Sequence, residues 1–209
     1  MGAQLTRWDG LIAMVTGVLL MLWWLLVTTL LPSLEVEVDL AVLVGESAWV
    51  PYSLLGMVGT ILLPGVIVSL YVYQKGTMTT VGQVGFYLSL LGTVMFAWVQ
   101  IQQTLVWPVL LDEAPQLVDN SGPLFGDALF ATVYWSAHGI MGIGFILFGR
   151  ATARGRAFPR WAGILLAFGG AVVGLSGLVL AMRFVGVLAL GPALIWMGFL
   201  QWRDRGAGY

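Results

Sequence analysis

Long apolar runs alternate with short charged stretches along this chain, and six windows carry no charged residue at all: 10–34, 47–74, 76–111, 128–149, 161–182 and 184–202. A helix rising 1.5 Å per residue needs about 20 residues to span about 30 Å of hydrocarbon, so each window is long enough to cross a bilayer. An unpaired charge at the bilayer centre costs at least about 2.5–3.5 kcal/mol, which makes charge-free windows the sharpest mark of a span. Within them the pattern predicts helices over residues 10–31, 50–73, 81–107, 127–149, 161–182 and 185–202. Open strands would leave backbone groups unpaired in lipid, so helices are required. The expected fold is an all-α integral membrane protein: a bundle of six transmembrane helices forming a single transmembrane domain over residues 1–209.

The last two windows are separated by Arg183 alone. One uninterrupted helix from Trp161 to Trp202 would be about 63 Å long, twice the bilayer thickness, so the chain must reverse. Arg183 marks the expected turn, because reversal at Gly191-Pro192 would bury it and leave too few residues to return.

Composition sharpens the class. The chain is 59% hydrophobic and 9% charged, whereas a soluble domain carries roughly a quarter charged residues to face water. No Lys/Arg-rich patch points to nucleic acid. The lack of cysteine excludes disulfides, Cys-ligated zinc, iron–sulfur clusters and thiol nucleophiles. The apolar run from Leu11 to Leu31 follows Arg7, yet it exceeds the roughly 7–15 residues of a secretory signal and lacks a small-x-small cleavage pattern. It is expected to be a retained first span.

Charge also orients the bundle. With the amino terminus in the cytoplasm, Arg7, Lys75, Arg150, Arg154, Arg156, Arg160, Arg203 and Arg205 lie inside and only Arg183 lies outside. This is the distribution that the positive-inside rule selects. Glu35, Glu37, Asp39, Glu46, Asp112, Glu113, Asp119 and Asp127 fall on the opposite side. Both termini are therefore expected to be cytoplasmic, in a multi-pass protein of the cell membrane. Trp8, Tyr71, Tyr73, Trp161 and Trp202 suit the inner interface, and Trp49, Tyr52 and Trp107 the outer one.

The alternate spans resemble one another. Arg7-Trp8-Asp9-Gly10 opens the first and Arg160-Trp161-Ala162-Gly163 the fifth, and glycines seven residues apart recur as Gly10/Gly17, Gly85/Gly92 and Gly163/Gly170. Three repeated helical hairpins would produce this pattern. In the 161–182 span, Gly163, Ala167, Gly170, Gly174, Gly177 and Ala181 recur at steps of four and three. That places a stripe of small residues on one face, where another helix backbone can approach closely. Its partner is either a helix of the same bundle, the favoured reading, or another membrane subunit or second copy of the chain.

Two outer loops are acidic. Residues 34–40, Leu-Glu-Val-Glu-Val-Asp-Leu, alternate strictly and would divide carboxylates from aliphatics in an extended conformation, as a lid or a solvated loop. Residues 111–126 hold Pro115, Asn120-Ser121-Gly122 and Pro123, which are turn signals.

One candidate site emerges. His138 is the single histidine and falls about 17 Å along the helix from Asp127, near the bilayer midplane. An intramembrane ionisable residue is a functional hypothesis by default. Tyr134 shares its face, and Gln100, Gln103 and Thr104 lie in the outer half of the third span. His138, Tyr134, Gln100 and Gln103 thus form a candidate ligand pocket, walled by Trp23, Trp24, Trp98 and Trp135 and suited to a quinone, a porphyrin or a lipid tail. The plainer reading is a set of interhelical hydrogen bonds, typically about 0.6 kcal/mol each.

Other chemistry fails on inventory. No metal-ligand cluster and no catalytic constellation is legible, a retinal Schiff base lacks an intramembrane lysine, and no window holds a carboxylate for ion coupling. Gly174-Leu175-Ser176-Gly177 resembles the GxSG motif of rhomboid proteases and Ala137-His138-Gly139 faintly resembles their histidine segment, but the order is reversed. The favoured function is a non-enzymatic membrane-complex subunit or apolar-ligand-binding protein. A carrier or channel for an uncharged or apolar solute stays open, as does a haem or quinone protein or an enzyme using His138.

Topology is directly testable, because single cysteines can be placed in this cysteine-free chain. Lys75→Cys and Arg154→Cys are expected to resist a membrane-impermeant thiol reagent in intact cells and to react after permeabilisation. Labelling of either in intact cells would reverse the assignment.

Overall fold

In the computed structural model, residues 2–30, 40–118, 128–176 and 180–204 are described. Among them the chain is helical and without strands. The long helices are α1 (Gly2–Val27), α3 (Trp49–Gln74), α4 (Thr80–Ile101), α6 (Ala128–Arg154) and α8 (Leu180–Asp204). Each is long and apolar enough to cross a membrane. Between them lie α2 (Leu40–Gly45), α5 (Trp107–Glu113) and α7 (Arg160–Leu175). The acidic segment of residues 34–39 lies outside the described residues, as do residues 119–127 of the second loop.

The surface is inverted relative to a soluble protein. Thr16, Ser53, Thr60, Ser89 and Thr93 are fully buried, while Leu25, Val58, Val84, Leu91, Ile143 and Val185 are exposed. Such a bundle presents aliphatic side chains to its surroundings and turns its hydroxyls inward, where Ser53, Thr60 and Thr93 bond to backbone carbonyls of their own helices while Thr16 and Ser89 have no partner among the described residues. Thr60 and Thr93, for example, donate back to the carbonyls of Met57 and Leu90 at 3.0 Å.

Consecutive hairpins close into a ring. α1 packs on α3, α3 on α4, α4 on α6, α6 on α7, α7 on α8, and α8 returns to α1. Glycine sets these approaches. A Cβ added to Gly10 would lie 2.5 Å from the Gly198 carbonyl oxygen, and one on Gly17 would lie 2.6 Å from that of Gly191, so α1 and α8 touch backbone to backbone. Gly163 and Gly149 meet in the same way between α7 and α6, and Gly169 and Gly186 between α7 and α8. The helices that carry Arg7-Trp8 and Arg160-Trp161, α1 and α7, therefore use their paired glycines alike, each against the preceding helix of the ring. Gly85 and Gly92 instead face Phe148 and Met141 of α6, the partner within their own hairpin.

The small-residue stripe of α7 is covered within the chain. Gly163, Gly170 and Gly174 lie against Ala153, Phe145 and Gly142 of α6. Gly177 is outside the described residues.

Two local features depart from the expected helices. The third span is not one α-helix, because residues Gln102–Val106 form a π-helical turn. In that register the Gln103 carbonyl would look for the nitrogen of residue 108, which is proline and carries no hydrogen. Trp49 Nε1 of α3 donates to that carbonyl instead, at 3.1 Å. The second departure is α7, which ends at Leu175 rather than at residue 182. Its 16 residues reach only about 24 Å, short of the roughly 30 Å of hydrocarbon. Residues from Leu180 onward already belong to α8. Arg183 is therefore not in the turn, as its place between two charge-free windows predicts, but inside α8 and buried.

Backbone contact at glycine makes a simple contrast. A Cβ on Gly163 or Gly169 would collide with the backbone of Ala153 or Leu190, whereas one on Gly65 meets nothing within 4 Å. Gly163→Ala and Gly169→Ala are expected to lose about 1–3 kcal/mol through overpacking. Gly65→Ala should be neutral or gain up to about 1 kcal/mol of helix propensity. Thermal unfolding in detergent reads the difference, and equal melting points for all three would refute the glycine-contact account.

Candidate functional site

The short α7–α8 hairpin lowers its own turn to the level of His138, which stands ten residues, or about 15 Å, inside α6. Arg183, in the first turns of α8, then points into the ring. It is 2% exposed. Its Nε donates to Ser176 Oγ at 3.0 Å, and Nη2 donates to His138 Nε2 at 3.0 Å. The guanidinium carbon lies 5.5 Å from the Trp24 ring of α1 and 5.4 Å from the Phe96 ring of α4. Residues of α1, α4, α6 and α8, with Ser176 just beyond α7, thus converge on one charge.

Hydrogen-bond roles fix the histidine. Arginine can only donate, so His138 Nε2 must accept. Nδ1 then carries the proton and donates to the Tyr134 carbonyl at 2.9 Å. The ring is the neutral Nδ1–H tautomer, tilted by 40° against the Tyr134 ring at 4.6 Å and edge-on to Phe96 at 5.1 Å. Ser176 is engaged on both sides, because its hydroxyl donates to the Val173 carbonyl at 2.6 Å while it accepts from Arg183. The guanidinium stands between serine and histidine. The faint likeness to rhomboid proteases therefore has no serine–histidine hydrogen bond behind it.

A guanidinium at this depth costs at least about 2.5–3.5 kcal/mol unless compensated. Two neutral acceptors and two aromatic faces supply that compensation, the faces contributing about 0.5–2 kcal/mol each. Among the described residues no carboxylate pairs with it. Trp24 Nε1 and Trp23 Nε1 are buried without a hydrogen-bond partner. The centre is therefore rich in donors and poor in acceptors.

The four residues of the candidate pocket divide into two groups. His138 and Tyr134 join Arg183. Gln100 and Gln103 belong instead to the π-turn neighbourhood: Gln100 Nε2 donates to Thr104 Oγ1 at 3.3 Å, Thr104 Oγ1 donates to the Ser53 carbonyl at 3.5 Å, and Gln103 is held through its carbonyl by Trp49. Gln100 Oε1 is buried and unpaired. Of the four expected aromatic walls, Trp23 and Trp24 are buried, but Trp98 and Trp135 are 46% and 42% exposed on the outside of the ring. Arg183 and Phe96 escape the sequence-based reading, whereas Trp24 is one of the expected walls and lies against the guanidinium. Ser176-Gly177 is a turn pair, and reversal there would have placed Arg183 inside the following helix.

The sequence matches no protein-family model, and neither a curated protein nor a solved structure resembles it significantly.

The Arg183–His138 contact yields a coupling that can be measured. His138→Leu removes the acceptor of a buried charged donor and is expected to cost about 1–3 kcal/mol, with His138→Gln costing less. In an Arg183→Met background the same His138→Leu change should cost little, since no donor is stranded. A double-mutant cycle on thermal unfolding in detergent isolates this term. Additive effects would show that the 3.0 Å contact carries no energy.

Proposed function

We propose that the chain is a non-enzymatic multi-pass membrane protein that holds an apolar ligand by a hydrogen-bond-accepting head group, with Arg183 as the anchor. The observation that carries this reading is the buried guanidinium itself. It has five N–H donors, and among the described residues it uses one on Ser176 and one on His138. Trp24, against whose ring it packs, adds an unpaired indole N–H. A carboxylate or carbonyl oxygen is the group that such donors recognise, and an apolar tail is what a lipid-embedded ring admits. His138 serves as a positioning residue, since its neutral ring fixes one edge of the guanidinium.

Haem or metal ligation by His138 is disfavoured, because both ring nitrogens are engaged and iron would have to displace Arg183. The subunit reading loses the support of the α7 stripe, most of which is covered by α6.

Mass spectrometry of organic extracts tests the proposal on wild type and Arg183→Gln purified in the same detergent. Wild type is expected to carry an amphiphile with a carboxylate or carbonyl head, and the variant at least about tenfold less, the loss of one charge-assisted contact. Wild type without any such molecule, or a variant that retains it fully, would overturn the assignment.

A further inference from the structure

At the opposite end of the bundle, α6 and α7 flank a surface groove, a cleft of about 620 Å³. Arg150 and Arg154, one helical turn apart on α6, and Arg160, the first residue of α7, line its mouth. Ile146, Ile164 and Phe168 continue it along the helices, and Ala171 closes its far end. From Arg160 to Ala171 the cleft runs along α7 for about 16 Å by helical rise, close to the depth of one bilayer leaflet.

The three arginines are exposed, and among the described residues none is engaged by a carboxylate or any other hydrogen-bonding partner. Asp9 and Asp204, the carboxylates that the sequence places at this end, belong to α1 and α8 rather than to the helices forming the cleft. Arg150 and Arg154, one turn apart, and Arg160, which lines the same cleft, are like charges whose mutual repulsion an anion between them would relieve. The apolar remainder opens on the lipid-facing side, where Ile146 and Phe168 are exposed.

We propose that this cleft binds one anionic phospholipid, its phosphate held by Arg150, Arg154 and Arg160 and one acyl chain lying between α6 and α7 over Ile146, Ile164 and Phe168. Charge complementarity selects the head group, and the length and apolar lining of the cleft select a lipid over a soluble anion. A basic pocket between transmembrane helices at the membrane interface is suited to such a head group. The site is separate from Arg183 and does not depend on the reading given to it.

Native mass spectrometry on the intact protein in detergent tests it, with phosphatidylglycerol and phosphatidylcholine added in turn. Wild type should retain a single phosphatidylglycerol and show no comparable phosphatidylcholine adduct. The triple variant Arg150→Gln/Arg154→Gln/Arg160→Gln should lose affinity on the order of a hundredfold. Arg156→Gln, in the loop but outside the cleft lining, should bind as wild type. All three replacements are at exposed positions, and the melting temperature without lipid checks that the variant is folded. Inorganic phosphate in millimolar excess should fail to displace the lipid. Equal retention of the two lipids, undiminished phosphatidylglycerol binding by the triple variant, or displacement by inorganic phosphate would overturn the proposal.

Discussion

Close backbone approach at glycine is the constraint on which this bundle rests. In lipid the tails are as apolar as leucine, so helices gain little from merely hiding hydrophobic side chains from one another. They associate where dispersion contacts are dense, and density requires axes close enough for backbones to touch. Gly10 with Gly198, Gly17 with Gly191, Gly163 with Gly149 and Gly169 with Gly186 provide that at the seams joining α1, α6, α7 and α8. The α1–α3 seam works differently. There the Trp23 ring lies in the space left by Gly56, and Leu20 packs over Gly59. A large side chain filling a glycine notch takes the place of direct backbone contact.

The central charge follows from these seams. Two glycine-lined faces grip α7, one against α6 and one against α8, so its position along the ring is fixed. Its short length then carries the turn, with Ser176, down to the level of His138. Arg183, in the first turn of α8, is buried and must find acceptors among whatever the neighbouring helices present. It finds a serine hydroxyl, an imidazole nitrogen and two aromatic rings. Helix packing thus determines the electrostatics of the site, which is the reverse of soluble proteins where surface charge is free to relax into solvent.

How much of this was legible in the sequence depends on what kind of signal each feature leaves. Charge-free windows report the cost of burying charge in lipid, and they located the apolar helices and the all-α class. The paired glycines of α1 and α7 were visible as a repeat, and the contacts explain why the α4 pair behaves differently: Gly85 and Gly92 face a helix of their own hairpin. Tyr134 and His138 were placed together by their four-residue step. Gln100 and Gln103 were not separable from them, because the partners that hold this pair, Thr104 and Trp49, meet them at a π-turn that no periodicity announces. Arg183 departs from its sequence signal for a physical reason. The rule that charges avoid the membrane assigns an isolated arginine to a loop, and it fails where folding supplies partners that the rule cannot see, here His138, 45 positions earlier in the chain.

The bundle therefore carries arginines in two physical regimes. Arg183 is enclosed, with its partners within hydrogen-bond distance and low-dielectric surroundings on every side, so its interactions are strong, geometric and scarcely screened by salt. Arg150, Arg154 and Arg160 stand at an interface, where each acts additively and within a Debye length of about 8–10 Å. Replacing arginine by lysine separates the two. At the exposed cleft a lysine keeps the charge and most of the attraction to a phosphate. At position 183 it loses the planar fork that reaches Ser176 and His138 at once and stacks between Trp24 and Phe96. Tolerance of lysine should accordingly be high at one end of the molecule and low at the other, because the first group works by charge and the second by shape.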